Sequence, residues 1–171
     1  MRSRRWVLCP AAAFSLLAHS SNPFMMATWR MQLHPDDSES SRGYAESSLR
    51  NGLIGLDFRE DVGDLMRAKK EDLPESQKLY YDFAHKMKIG DRVLIMAGFE
   101  PLALVTVEGE YTYISRKGEL GVWFRHFRRV GNVQYAKDRA PEKKRIQLTM
   151  RKTIEHLVRT DTESYNFIEN W

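Results

Sequence analysis

One continuous stretch, MKIGDRVLIMAGFEPLALVTVEGEYTYIS at residues 87–115, constrains the fold more than any other part of the chain. In order, it predicts a helix end at Gly90-Asp91, a strand over 92–96, a turn at 98–101, a strand over 102–108 and a further strand over 111–115. Strands joined by such short turns are antiparallel neighbours. The pattern therefore argues against a doubly wound parallel sheet.

The flanking residues add further short elements of both kinds. Alternating or mostly apolar runs predict strands over 28–33, 53–58 and 121–134. Helical spacing of apolar residues predicts helices over 44–50, 76–87 and 144–159. About six short strands with interspersed helices indicate an α+β fold. We expect a small, closed or partly closed β-barrel with peripheral helices and a C-terminal helix.

The first 25 residues differ in composition from the rest and are expected to lie outside the fold. Three arginines precede an apolar stretch over 6–18 and then small polar residues, which is the layout of a secretory signal. Pro10 and the lack of acidic residues also permit a transit peptide. We favour a third interpretation, an upstream extension before a natural start at Met25, Met26 or Met31, and hence a cytoplasmic protein.

Charge is divided unevenly along the chain. The formal net charge is +4, but residues 36–82 carry a net −5 and residues 125–152 a net +8. A basic block of this kind favours a polyanionic partner, although a solvated surface would have the same composition. The single cysteine, Cys9, allows no disulfide within the chain, and no apolar run is long enough to predict a membrane partner.

Motifs that carry catalytic chemistry are missing from the sequence. There is no glycine-rich phosphate loop and no Gly-x-Ser-x-Gly nucleophile elbow. The five histidines are scattered, and one cysteine cannot build a cysteine-rich zinc site. We therefore expect no catalytic residues, no metal and no cofactor, and treat a small nuclease or base-modifying enzyme as the minority hypothesis.

Aromatic residues interleaved with basic ones remain to be explained. Trp123, Phe124 and Phe127 alternate with Arg125, His126, Arg128 and Arg129. Aromatic rings stack on bases and arginines hold phosphates, so the combination suits nucleic-acid binding. Any single aromatic residue among these is more often part of a core.

The order of these features resembles the PUA-like superfamily, in particular its EVE and YTH branches. The resemblance is greatest to EVE-like modules found with methyl-directed, McrB-type restriction systems. It covers residues 27–135, and four pieces carry it: Trp29-Arg30, NGLIGLDF at 51–58, FAHKMKIGDRVLIMAGFEPLALVTVEGEYTYI at 83–114, and RHFRRVGNV at 125–133. It implies a PUA/EVE-like domain over 26–135, with a basic C-terminal helix over 136–171 packing on it.

The resemblance also implies a site, because family members bind modified or flipped bases in an aromatic pocket. Carried over residue by residue, the expected base pocket consists of Trp29, Asp57, Phe58, Gly98, Phe99, Tyr111 and Tyr113. The expected phosphate contacts are Arg30, Arg125, His126, Arg128 and Arg129. Where many relatives have a tryptophan after the second strand, this chain has Phe58 preceded by Asp57, so the pocket departs from the family pattern.

These observations lead to one main functional hypothesis and several alternatives. The main hypothesis is a non-catalytic module that recognises a modified, methylated and flipped base in DNA, with a nuclease or NTPase as its partner protein. A PUA-type RNA-binding module is the first alternative, since the fold does not separate DNA from RNA. The enzyme hypothesis above and a purely structural or protein-binding module are the others.

Overall fold

The structure is a computed structural model, and it describes residues 26–35, 39–58, 60–139 and 147–171. The predicted leader, residues 1–25, lies outside the described residues. The strands are β1 (Thr28–Gln32), β2 (Leu53–Leu56), β3 (Arg92–Ala97), β4 (Glu100–Val107), β5 (Thr112–Tyr113), β6 (His126–Tyr135) and β7 (Ile154–His156). The helices are α1 (Ser41–Arg50), α2 (Lys78–His85), α3 (Ala136–Arg139) and α4 (Glu163–Glu169), with short 3₁₀ turns at Lys70–Asp72 and Glu75–Gln77.

The strands form one mixed sheet in the order β2-β6-β4-β3-β1-β7, with β5 beside β6. Strand β1 runs parallel to β3, and the other pairs are antiparallel. The predicted α+β class is confirmed, and the sheet has the form of a small half-barrel. Its two ends, β2 and β7, are not paired with each other.

Strand β3 lies at the centre, and both of its faces are buried. Val93 and Ile95 belong to the main core, while Leu94 and Met96 belong to a second core on the opposite face. This is why its sequence is a continuous apolar run rather than an alternating one. On β1, which lies between β3 and β7, Trp29 and Met31 are buried, whereas Arg30 is only half-buried.

Strand β6 pairs with different partners along its length, and this arrangement places the candidate site. Its first residues pair with β2 on one side and β5 on the other, and its later residues pair with β4. Between β4 and β5 the backbone N–H groups of Glu108 and Gly109 both donate to the carbonyl of Arg129. A Cβ at Gly109 would lie 2.9 Å from the Arg129 Cβ, so the close approach requires glycine.

The C-terminal segment differs from the sequence-based prediction. The helix predicted over 144–159 is wrong for residues 147–159, which contain β7 and no helix; the helix in this segment is α4. A helix would place Met150, Ile154 and Leu157 on one face. In the structure Ile154 enters the main core, whereas Met150 and Leu157 enter the second core.

Pairing with β1 explains why residues 154–156 form the strand β7. The backbone groups on the side of β1 that faces away from β3 need hydrogen-bond partners, and β7 supplies them in antiparallel register. Residues 147–171 therefore extend the sheet and cover its second face. They contribute a strand to the sheet and side chains to both cores, while the predicted domain boundary at residue 135 remains a prediction.

Candidate functional site

Four residues of the predicted base pocket and two predicted phosphate ligands come together at one end of β6, and Asp61 joins them. We call these seven residues the His126 cluster: Asp57, Phe58, Asp61, Tyr111, Tyr113, Arg125 and His126. The register of β2 against β6 pairs Leu56 with His126, so Asp57 follows directly beside Arg125. The pairing of β5 with β6 places Tyr113 opposite His126. The sheet itself therefore positions the cluster.

Arg125 holds the polar side of the cluster together. Its Nε donates to Asp57 Oδ1 at 2.8 Å, and its Nη1 lies 2.9 Å from Asp61 Oδ2. Its Nη2 donates to the backbone carbonyl of Phe58 at 3.1 Å. The side chains of Asp57 and Arg125 are only 4% and 9% exposed. The guanidinium is thus committed to internal partners, and the phosphate-binding role predicted for it remains a prediction.

The central imidazole, His126, is fully buried, and its hydrogen-bond partner allows its tautomer to be assigned. The Tyr111 hydroxyl lies 2.7 Å from His126 Nδ1 and accepts a hydrogen bond from the Leu65 N–H. Burial raises the pKa of Tyr111 and lowers the pKa of His126 to about 4. At neutral pH both groups are therefore neutral. We assign the hydroxyl as the donor to Nδ1, since its oxygen already accepts from Leu65, and this puts the imidazole proton on Nε2. That N–H has no hydrogen-bond partner among the described residues.

Aromatic rings surround this imidazole. The Phe58 ring meets it edge-on, with centroids 4.9 Å apart, and the Tyr113 ring lies 5.0 Å away. The Tyr113 hydroxyl donates to the Asp61 carboxylate at 2.9 Å. A hydrogen bond from the Gly63 N–H lowers the pKa of Asp61, so its carboxylate stays ionised. Tyr113 is only half-buried and lies at the accessible side of the cluster.

A second buried polar atom in the cluster is incompletely satisfied. Asp57 Oδ2 is buried and receives no hydrogen bond of ordinary geometry, although the Lys117 ammonium is in ion-pair contact with it. The Lys117 side chain is 55% exposed and projects from the turn between β5 and β6. The cluster thus contains a buried acceptor beneath a solvent-exposed cation, and a buried donor at His126.

The structure places the remaining predicted pocket residues elsewhere. Trp29 is 1% exposed in the main core. Its Nε1 donates to Asp91 Oδ2 at 2.9 Å, and its ring stacks on His156 with centroids 4.3 Å apart. Gly98 and Phe99 form the turn between β3 and β4, where Phe99 is 57% exposed. Their assignment to a base pocket remains a prediction.

The other predicted phosphate ligands differ in burial and in their bonding partners. Arg128 is 1% exposed and donates to the backbone carbonyls of Phe83, Ala84 and Gly109, so it satisfies the end of α2. Arg30 is bonded to Glu155 on β7. Arg129 is the exposed member of the set.

Sequence reasoning missed Asp61 and Lys117. Both lie in loops, and their pairing with Arg125 and Asp57 depends on how the sheet brings those loops together. In the described part of the chain, no group of three or more His, Cys, Asp or Glu residues could hold a metal ion. The same residues include no helix with the length and apolarity needed to cross a membrane.

Comparisons with known proteins place this half-barrel in a family without assigning a function. The chain belongs to the family described as a domain of unknown function (DUF8426), whose model matches residues 29–157. No curated protein matches the chain.

One solved structure similar to this chain is the YTH domain of the Zygosaccharomyces rouxii MRB1 protein, described in complex with N6-methyladenosine RNA. The two are 11% identical, with a TM-score of 0.47. The match covers 87% of this chain and 90% of that one.

Proposed function

We propose that the chain is a non-catalytic nucleic-acid-binding module that recognises a methylated, flipped base in DNA at the His126 cluster. The observation that supports this is the combination of aromatic rings with two incompletely satisfied buried polar atoms, Asp57 Oδ2 and His126 Nε2. Buried polar atoms without partners are uncommon in folded proteins, and a bound ligand is one explanation for them.

The two atoms have the chemistry needed to bind the edge of a base. A carboxylate oxygen accepts a hydrogen bond from an exocyclic amine, as it does from cytosine N4. An imidazole N–H donates to a ring nitrogen or a carbonyl oxygen. Tyr113 is the ring on which an extruded base would stack, because it is half-buried and its centroid lies 5.0 Å from that of His126. Tyr111 is also half-buried, but its hydroxyl is held inside the cluster by His126 and the Leu65 N–H.

The energies are compatible with base extrusion. Removing a base from the stack costs a few kcal/mol, and stacking on one aromatic ring returns about 1–3 kcal/mol. Lys117 must leave Asp57 for a base to reach it. Because Asp57 itself is only 4% exposed, displacing Lys117 leaves a buried oxygen unpaired and costs about 1–3 kcal/mol, which the amine of the base offsets when it donates to Oδ2. Phosphate contacts, with Arg129 as the exposed candidate, supply the remainder.

The sequence resemblance to EVE-like modules of methyl-directed restriction systems favours DNA over RNA, and a nuclease or NTPase as the partner that acts on the bound DNA. No residue of the cluster is assigned a catalytic role in this proposal. The module would act within a cell, where such DNA is found.

The test is a fluorescence-anisotropy titration of short duplexes that differ only at one central base: methylated cytosine, hydroxymethylated cytosine, methylated adenine or the unmodified base. We expect one methylated duplex to bind about fourfold more tightly than its unmodified counterpart, since one buried methyl group contributes about 0.8 kcal/mol. Asp57→Asn should weaken binding of the modified and unmodified duplexes alike, because the exocyclic amine that donates to Asp57 is present in both. Equal affinity for all duplexes would refute recognition of a modified base.

A competition arm separates the two kinds of nucleic acid. Unlabelled single-stranded RNA and DNA of the same sequence are added to the labelled methylated duplex. We expect the methylated DNA to compete best. Stronger competition by RNA would favour the RNA-binding alternative. Arg129→Ala is the control variant, because losing a phosphate contact should weaken modified and unmodified duplexes equally.

A further inference from the structure

A groove lies beside the His126 cluster, between the loop that follows Phe58 and the 3₁₀ turns before α2. Its volume is about 450 Å³, within the range typical of ligand sites. Val62, Ala68, Leu73 and Pro74 give it an apolar lining. Leu73 also packs in the same buried group as Phe58, with Val62 and Ala68 against them. The groove and the cluster therefore share a wall.

The groove contains an unsatisfied polar atom of its own. Gln77 lines it, and the side-chain oxygen Oε1 is buried without a hydrogen-bond partner among the described residues. A buried acceptor left unpaired destabilises the fold by about 1–3 kcal/mol. A glutamine amide carries both an acceptor and donors, so it can bind the edge of a planar heterocycle. A ligand in the groove would satisfy this oxygen.

Two cations lie at the rim. Arg67 is 90% exposed, and its nearest carboxylate, Asp64, is 3.7 Å away, which is too far for a strong hydrogen bond. Lys69 is exposed as well. The carboxylates of Glu60 and Asp72 also line the groove and offset this charge. The balance favours contact with a single phosphate rather than with a run of phosphates.

We propose that this groove is a second nucleotide subsite, which holds the base next to the flipped one in the same strand. The neighbouring base would lie against Leu73 with its edge at the Gln77 amide, and its phosphate would contact Arg67 and Lys69. The proposal rests on the function proposed above and adds a consequence, because binding then depends on the nucleotide beside the modified base.

The experiment measures affinities for methylated oligonucleotides in which the nucleotide on the 5′ or the 3′ side of the modified base is replaced by an abasic residue. For the wild-type protein, one of the two replacements should weaken binding about fivefold to tenfold, the loss expected for one stacked base. Gln77→Ala should weaken binding to the intact oligonucleotide, and the abasic replacement should then have little additional effect.

The cations are tested with a matched pair of double variants. Arg67→Ala with Lys69→Ala should weaken binding about fivefold and reduce the salt dependence by roughly one phosphate contact. Arg50→Ala with Lys88→Ala removes the same charge from exposed positions on α1 and before β3, and should change affinity less than twofold.

The outcomes separate the two proposals. If methylated oligonucleotides are preferred but neither abasic replacement weakens binding, the second subsite is refuted and the base-recognition site stands. If the two double variants weaken binding equally, the effect is one of net charge and the phosphate contact is refuted. If no oligonucleotide binds the wild-type protein, both proposals fail.

Discussion

Two regions of this molecule combine an aromatic side chain with a buried carboxylate, and the two carboxylates differ in the hydrogen bonds that they accept. At β1, Asp91 accepts hydrogen bonds from Trp29 Nε1 and from the backbone N–H groups of Ala27 and Lys88. In the His126 cluster, Asp57 is bound by Arg125 through Oδ1, while Oδ2 has only the exposed Lys117 beside it. The first carboxylate is fully used by the fold, and the second retains binding capacity. The comparison shows that an aromatic–carboxylate pair identifies a candidate site only when its hydrogen bonds are incomplete.

The largest expected effect tests the region around Trp29. Asp91→Ala would leave one buried and two partly buried donors without an acceptor, so we expect a loss of about 3–5 kcal/mol in the free energy of unfolding. Urea denaturation measures this. A loss below about 1 kcal/mol would show that the carboxylate is not a structural anchor, and the contrast between the two regions would fail.

Two adjacent arginines give the next test. Arg128→Ala should lower the free energy of unfolding by about 3 kcal/mol, because three backbone carbonyls lose their donor and a buried space is left. Arg129→Ala should stay within about 0.5 kcal/mol of wild type, since its side chain is exposed. Similar stability of the two variants would contradict the buried placement of Arg128.

The buried imidazole predicts a dependence of stability on pH. The pKa of His126 is about 4 in the folded protein and about 6.5 in the unfolded chain. Between these values the unfolded chain binds more protons, so stability falls as the pH is lowered from 6.5 to 4, by up to about 3 kcal/mol. His126→Gln should remove this part of the slope. Identical pH profiles for the two proteins would show that His126 is not held neutral.

Removal of Lys117 is expected to affect stability less than the changes at Asp91, Arg128 and His126. Lys117→Ala should lower the free energy of unfolding by about 1–2 kcal/mol, because the side chain is 55% exposed but its removal leaves the buried Asp57 Oδ2 without a partner. In the proposed mechanism Lys117 must leave before a base reaches Asp57. The ratio of affinities for the methylated and unmodified duplexes should therefore be at least as high in this variant as in the wild type. A lower preference would mean that Lys117 contacts the base itself.

The sequence predicted most of the sheet because its signals are local. The alternation at 28–33 and the apolar run at 92–96 correspond closely to β1 and β3. The sequence-based prediction was wrong at β7, because the apolar residues 150, 154 and 157 are also spaced as in a helix. Only pairing with β1, more than 100 positions earlier in the chain, distinguishes the strand.

For the same physical reason, the sequence could indicate only in part which residues of the candidate site lie together. Asp57, Phe58, Tyr111 and Tyr113 were selected by resemblance, and the structure brings them together. Trp29 was selected in the same way, but its hydrogen-bond partner could not be known before the fold placed Asp91 beside it. Likewise, strand alternation predicts that Arg128 and Arg129 face opposite ways, but not which of them is buried.

The most direct test of the central claim compares Tyr113→Leu with Trp29→Phe, under conditions where both variants are folded. The quantity measured is the ratio of affinities for the methylated and unmodified duplexes. Tyr113→Leu removes the accessible ring of the His126 cluster and should bring the ratio to about one. Trp29→Phe removes only an internal hydrogen bond and some core volume, and should leave the ratio at the wild-type value. The account would be contradicted if Trp29→Phe brought the ratio to about one while Tyr113→Leu kept it at the wild-type value.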